Sequence, residues 1–114
     1  MANIYLTQKH CIPCEAGTPP LTKTQAEEYL KTLSGWDLVE GSTKLQKEYV
    51  FTDFKEALEF VNTLGEIAEA EGHHPDIFLH DYKRVMVMLS THAIGGLSEN
   101  DFILAAKADE KVNR

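Results

Sequence analysis

Apolar side chains recur at steps of three and four residues in three segments of the chain, and this spacing predicts three helices. The first begins near Thr22, where Thr22 with Gln25 and, equally well, Thr24 with Glu27 fit a capping box, and Gly35 is a suitable terminator. The longest follows the dipeptide Thr52-Asp53, either member of which can cap it, and ends at Gly72. The last begins after Ser98, which stands three residues before an acidic residue.

Between the helices, four segments with strand-like patterns of apolar and polar residues predict strands. These segments are residues 36–40, 44–51, 77–82 and 84–92. Short connections within each pair favour antiparallel hairpins. The sequence therefore predicts a two-layer α+β fold, with one four-stranded antiparallel sheet and three helices packed on one face.

The first 20 residues differ in composition from the rest of the chain. They hold both cysteines and several residues that break regular structure, namely Pro13, Gly17, Pro19 and Pro20. These residues predict a flexible N-terminal arm without regular structure over residues 1–20, followed by a single domain over residues 21–114.

Composition narrows the possible partners. The 114 residues carry a formal net charge of -7, which argues against nucleic acid or an anionic membrane as the main partner. No apolar run reaches the length of a membrane span, and the first ten residues lack the apolar block of a signal peptide. The sequence therefore predicts a cytoplasmic protein.

A cluster of histidines is the main candidate for chemistry. His73 and His74 follow the end of the longest helix, and pairing of the last two strands would bring His92 back toward them. Glu69 lies about one helical turn before His73 and could orient its ring. Imidazole exchanges protons near neutral pH, so this group suits a dehydration in which one residue protonates a leaving hydroxyl and another removes a proton.

Other interpretations of these residues remain open. A single histidine is more often a cap or a surface residue than a catalyst, and we interpret His80 in this way. Three histidines could also bind zinc, although neither HxH nor HxxxH spacing occurs. Cys11-x-x-Cys14, with His10 beside it, could be a zinc half-site shared across a dimer, a redox pair or a chance feature.

The order of residues around the histidines resembles a known family. Residues 69–102 read EAEGHHPDIFLHDYKRVMVMLSTHAIGGLSENDF. This is similar to the signature of the pterin-4a-carbinolamine dehydratases: an acidic residue, His-His-Pro, an aromatic residue, Leu-Ser-Thr-His, and Gly-Leu-Ser before an acidic residue. The matching positions are Glu69, His73, His74, Pro75, Tyr82, Thr91, His92, Gly96, Leu97, Ser98 and Asp101. The resemblance covers residues 22 to about 108.

The resemblance implies an enzyme that uses no metal or cofactor. Its activity would be that of 4a-hydroxytetrahydrobiopterin dehydratase, a hydro-lyase that forms quinonoid dihydropterin in the recycling of tetrahydrobiopterin for aromatic amino acid hydroxylases. By position, His73 and His92 would be the acid and the base, His74 would position the pterin, and Glu69 would orient His73. The residues expected to bind the substrate are His73, His74, Pro75, Thr91, His92, Ala93, Ile94 and Asp101.

The resemblance also implies assembly and a second possible role. Members of the family form homodimers or homotetramers, and the apolar strand 84–92 is expected to offer an edge for such pairing. A functional link to phenylalanine hydroxylase is a further expectation. Animal members also act as dimerisation cofactors of a homeodomain transcription factor, so a binding module is the competing function. They lack the Cys11-x-x-Cys14 arm, and they carry an acidic residue and a cysteine where this chain has Ala93-Ile94.

Overall fold

The computed structural model describes residues 4–12 and 17–112, which form an α+β fold. In chain order the elements are α1 (Ile4–Thr7), α2 (Lys23–Leu30), β1 (Asp37–Val39), β2 (Lys44–Val50), α3 (Phe54–Glu71), β3 (Asp76–His80), β4 (Arg84–Leu89), a 3-10 turn (His92–Ile94) and α4 (Glu99–Val112). The predicted class, with a four-stranded antiparallel sheet and three helices, is confirmed; the short α1 is an addition to it. No helix within the described ranges is long and apolar enough to cross a membrane.

The sheet joins two hairpins through a central pair of strands. Its order is β1-β2-β4-β3, and every neighbouring pair is antiparallel. Leu45 of β2 lies opposite Leu89 of β4. The expectation that strand 84–92 provides a free edge is therefore wrong, since β4 is hydrogen-bonded on both sides. Its central position explains why it carries apolar residues at successive positions.

The core lies between the inner face of the sheet and the helices. Alternate residues of β4 are buried, and so is a stripe of α3 at helical spacing. The buried residues on these two elements are Val85, Val87, Leu89, Ala57, Phe60, Leu64 and Ala68. Helix α4 is buried along most of its length because it contacts both α3 and α1.

The N-terminal segment packs against the domain. Leu6 belongs to the core and is almost fully buried, and Lys107 donates a hydrogen bond to the carbonyl of Thr7 at 3.0 Å. The expectation of an arm without regular structure is wrong for Ile4–Thr7, which form α1 and contact α4, distant in sequence, although the composition of this segment marks it as irregular. Residues 8–12 form no helix or strand. Pro13 and Cys14 lie outside the described residues. The domain boundary at residue 21 stays a prediction.

Capping residues in the sequence predict most, but not all, of the ends of α2 and α3. Of the two predicted capping boxes, Thr22 with Gln25 is the one that forms at the start of α2, but the helix ends at Leu30, before the predicted terminator Gly35. Asp53 caps α3 by accepting a hydrogen bond from a backbone N–H at 2.8 Å. Gly72 ends α3 in the left-handed region, with φ 67°. That turn directs the chain from the helix into the segment that carries the adjacent histidines.

Replacing Gly72 with alanine is expected to lower the free energy of unfolding by about 1 kcal/mol, because an L side chain is strained at positive φ. A Cβ at this position would meet no other atom, so the change isolates the backbone effect. Gly65→Ala is the matched control: it lies inside the same helix, also with open space, and alanine there should raise the free energy of unfolding by roughly 0.5–1 kcal/mol. Denaturant titrations followed by circular dichroism measure both values, and shifts of the same sign would contradict the backbone explanation.

Candidate active site

A pocket of about 420 Å³ opens where the end of α3, the segment after β4 and the start of α4 meet. Its lining consists of Cys11, Ile12, Glu71, Gly72, His73, His74, Ser90, Thr91, His92, Ala93 and Asn100. The predicted convergence of the three histidines is confirmed. It arises from the register of the last hairpin, which pairs Asp76 with Met88 and so returns the chain to the end of α3.

His73 is held by a fully buried carboxylate. Its Nε2 lies 2.6 Å from Oδ1 of Asp101, whose exposure is 0%. The other oxygen of Asp101 accepts hydrogen bonds from the hydroxyl of Thr91 at 2.8 Å and from the backbone N–H of Ser98 at 3.0 Å. These donors compensate for burying a carboxylate. Because the carboxylate accepts from Nε2–H, Nδ1 of a neutral His73 is left as the nitrogen that can take up a proton.

His74 has a different carboxylate partner on the solvent side. Its Nε2 lies 2.6 Å from Oε2 of Glu69, and both side chains are exposed. The prediction that Glu69 orients His73 is therefore wrong. The two adjacent imidazoles, both after the left-handed turn at Gly72, thus have separate partners: the first meets Asp101 and the second meets Glu69.

His92 lies beyond the sheet. Strand β4 ends at Leu89, so the prediction that His92 ends the strand is wrong, and the residue instead begins a 3-10 turn. Paired backbone groups of Thr91 and Gly96 close this turn, with one N–H···O distance of 2.8 Å. His92 is exposed, and its imidazole forms no hydrogen bond with another residue of the described ranges. Both of its ring nitrogens are thus open to a ligand.

The pocket includes some, but not all, of the residues expected to bind a substrate. Thr91 and Ala93 belong to its lining, whereas Pro75 and Ile94 do not. Asp101 is completely buried, so its contact is with His73 and not with a bound molecule. The expectation that Asp101 touches the substrate is corrected accordingly.

Sequence reasoning missed Glu71, an acidic residue in the last turn of α3. Its carboxylate accepts hydrogen bonds from the backbone N–H of Cys11 at 2.7 Å and from His10 at 3.0 Å, and it lies 3.6 Å from the ammonium of Lys107. Burial raises the pKa of Glu71, but these hydrogen bonds and the positive charge outweigh burial and hold the pKa below its usual range. The available signal was the carboxylate's position, because a negative charge at a helix C-terminus is unfavourable unless something else compensates for it.

Cys11 is a half-buried thiol at the edge of the pocket. Burial and the nearby charge of Glu71 raise its pKa to about 12, so that it stays protonated at neutral pH. A neutral thiol is a weak nucleophile and must lose its proton to bind a metal. No group of three or more histidine, cysteine or acidic residues is arranged to hold a metal ion within residues 4–12 and 17–112. Cys14 lies outside these ranges, so the zinc and redox hypotheses stay predictions.

A second, larger cavity of about 580 Å³ lies away from the histidines. It is lined by Phe51, Glu56, Glu59, Phe60, Thr63, Glu110, Lys111 and Val112. Its lining includes no histidine, and it includes Val112, the last residue that the structure describes. The smaller pocket is therefore the candidate active site.

Similarity to known proteins identifies the family. The family model for pterin 4 alpha carbinolamine dehydratase matches residues 19–111. The chain belongs to this family. A protein of Methylococcus capsulatus, provisionally named a pterin-4-alpha-carbinolamine dehydratase, is 50% identical over 105 residues, covering 92% of this chain and 91% of the relative. A protein of Alkaliphilus metalliredigens with the same name is 45% identical over 107 residues, covering 93% and 95%.

Solved structures show the same dehydratase fold. The crystal structure of a transcriptional coactivator/pterin dehydratase from Brucella melitensis has a TM-score of 0.75 and 35% identity, covering 80% of this chain and 96% of that one. A pterin dehydratase-like protein, identified as a RuBisCO assembly factor in the alpha-carboxysome, has a TM-score of 0.60. It is only 22% identical over 69% of this chain and 90% of its own, so it shows the fold alone. These proteins have different stated roles, so the pocket residues must decide the function of this chain.

Proposed function

We propose that the protein removes water from 4a-hydroxytetrahydropterin to give quinonoid dihydropterin, the reaction of 4a-hydroxytetrahydrobiopterin dehydratase. The observation that carries this proposal is the meeting of His73, His74 and His92 in one pocket, with a fully buried carboxylate behind the first. Family membership supports a pterin as the substrate. A dehydration needs a proton donor and a proton acceptor on one bound molecule, and this pocket offers both.

His73 is the proposed base. Asp101 holds Nε2–H, so Nδ1 is free to take the proton from the ring nitrogen next to C4a. The electron pair of that N–H bond then forms the new double bond to C4a. The buried carboxylate stabilises the imidazolium that results, as a carboxylate does behind a catalytic histidine in other enzymes.

His92 is the proposed acid. In its protonated form it donates a proton to the 4a-hydroxyl, so that the C4a–O bond breaks and the oxygen leaves as water with the bonding electron pair. One proton enters His73 and one leaves His92, and exchange with solvent restores both rings. The exposure of His92 supports this exchange. His74, held by Glu69, would position the pterin.

The test is the rate at which 4a-hydroxytetrahydropterin, generated in the cuvette, is converted to quinonoid dihydropterin. The purified protein should accelerate this step in proportion to its concentration, above the spontaneous rate. The same protein after thermal unfolding is the control, because it keeps the composition but loses the pocket. Equal rates with folded and unfolded protein would overturn the proposed function.

The wider roles belong to the same proposal. The expected homodimer or homotetramer, the recycling of tetrahydrobiopterin and the functional link to phenylalanine hydroxylase follow from family membership, as does the competing role of a binding module. The free edges for pairing between subunits are β1 and β3. The paired imidazoles and carboxylates of the pocket favour the enzyme, since a binding module has no need of them.

A further inference from the structure

Two consecutive residues of the N-terminal segment form one wall of the candidate active site. The backbone N–H of Cys11 donates to Glu71 at 2.7 Å. The backbone N–H of Ile12 donates to Oδ1 of Asn100 at 3.0 Å, and Nδ2 of Asn100 donates back to the carbonyl of Ile12 at 2.6 Å. All four residues line the pocket.

The residues that hold this wall are buried. Asn100 is 7% exposed, and the side chain of Glu71 is also 7% exposed. The oxygen and the nitrogen of the Asn100 side-chain amide both form hydrogen bonds with the backbone of Ile12. A buried amide or carboxylate is costly unless it is hydrogen-bonded, so this geometry ties the wall to the domain at defined positions. Lys9 adds an ion pair with Glu99 at 2.7 Å just before the wall.

The consequence is an exposed aliphatic side chain on a fixed backbone. Ile12 is 68% exposed, although it borders a pocket and its backbone is held at both polar atoms. Ligand pockets combine apolar contact surface with a few polar groups that set orientation. The histidines supply polar groups, and Ile12 supplies exposed apolar surface in the lining of the same pocket.

We propose that Ile12 packs against the bound pterin and is a substrate-binding residue, and that Asn100 is a positioning residue that acts through it. The inference rests on the proposed function for the identity of the ligand. It adds an element outside the region that the family model matches, which begins at residue 19.

Two measurements separate this inference from the proposed function. Fluorescence titration with 7,8-dihydrobiopterin, which has no 4a-hydroxyl to lose, reports binding without catalysis. Steady-state dehydration reports KM and kcat. Ile12→Ala should raise Kd for the dihydropterin and KM for the substrate by about fivefold, because part of an aliphatic side chain no longer contacts the ligand. The value of kcat should stay within about twofold, since the contact is the same in the ground state and the transition state.

Asn100→Ala should raise the same Kd by a similar factor, and in the Ile12→Ala background it should add little, because its effect passes through Ile12. Val50→Ala, which shortens another exposed β-branched residue away from the pocket, is the matched control and should leave Kd unchanged. An unchanged Kd in Ile12→Ala, or full additivity of the two substitutions, would overturn the inference. Wild-type protein that binds the dihydropterin but does not accelerate dehydration would sink the proposed function alone, and wild-type protein that does not bind it would sink both.

Discussion

Replacing His92 with alanine is expected to lower kcat for the dehydration by about 10²-fold or more, the usual contribution of one positioned acid–base group. The thermal midpoint should hardly change, because the imidazole is exposed and forms no hydrogen bond with the described part of the chain. Stopped-flow measurement of kcat beside a thermal unfolding scan tests both statements. The combination of a large kinetic loss with intact stability would identify a residue that serves the reaction rather than the fold.

His80→Ala is the matched control for this prediction. His80 lies beside a charged group, with Nε2 2.7 Å from a carboxylate oxygen of Glu48, and its ring stacks on Phe78 at 4.8 Å. It lies outside the pocket, so its loss should leave kcat unchanged. Full activity in His92→Ala would remove this residue from the role of acid. Equal losses of kcat in the two variants would show that the effect does not depend on whether the histidine lines the pocket.

The fold was predictable where local rules decide it. The capping box at Thr22, the cap at Asp53 and the left-handed end at Gly72 are each set by a few neighbouring residues, and the structure shows all three. The two hairpins follow from short connections for the same reason. The pairing of β2 with β4 has no such local signal, because it joins strands separated by the whole of α3. The sequence therefore predicts an edge at β4, a strand that lies inside the sheet.

In the candidate site, too, the sequence predicts the course of the chain but not the contacts of each side chain. The hairpin register brought His92 to the adjacent histidines, and this required only the direction of the chain. The pairing of each imidazole with its carboxylate depends on where side chains point after a left-handed turn, which spacing along a helix does not specify. Helical spacing therefore predicts Glu69 as the partner of His73, whereas the structure pairs that ring with Asp101.

The missed residues have one property in common. Glu71 and Asn100 act on the backbone of Cys11 and Ile12, which are about 60 and 88 positions away in the chain. No periodicity or motif connects such distant segments, and the prolines of the first 20 residues suggested the opposite, an independent arm. Only the folded structure reveals that the family's core domain and this segment share a pocket.

Replacing Asp101 with asparagine is expected to lower kcat by about 10- to 100-fold, which corresponds to the loss of one hydrogen bond to a charged group. The amide keeps the size of the carboxylate but carries no charge to stabilise a protonated His73. The NH₂ group would replace one of the two carboxylate oxygens. It would face a hydrogen-bond donor there, because both oxygens of Asp101 accept hydrogen bonds, from His73, Thr91 and Ser98. The free energy of unfolding should therefore fall as well, by about 2 kcal/mol.

A second buried carboxylate on the same helix separates these two effects. Asp109 is 7% exposed and accepts hydrogen bonds from Trp36 at 3.0 Å, from Lys47 at 2.7 Å and from Tyr49 at 2.6 Å. Burial and the Asp109 carboxylate raise the pKa of Tyr49, so its phenol stays a donor at neutral pH. Asp109→Asn should thus lower stability by an amount similar to Asp101→Asn, yet leave kcat nearly unchanged because none of its partners lines the pocket. The measurements are kcat and denaturant unfolding for both variants. A loss of kcat of equal size in Asp109→Asn would mean that general loosening of α4 slows the reaction. A loss of kcat confined to Asp101→Asn would show that the Asp101 carboxylate supports His73 in the reaction.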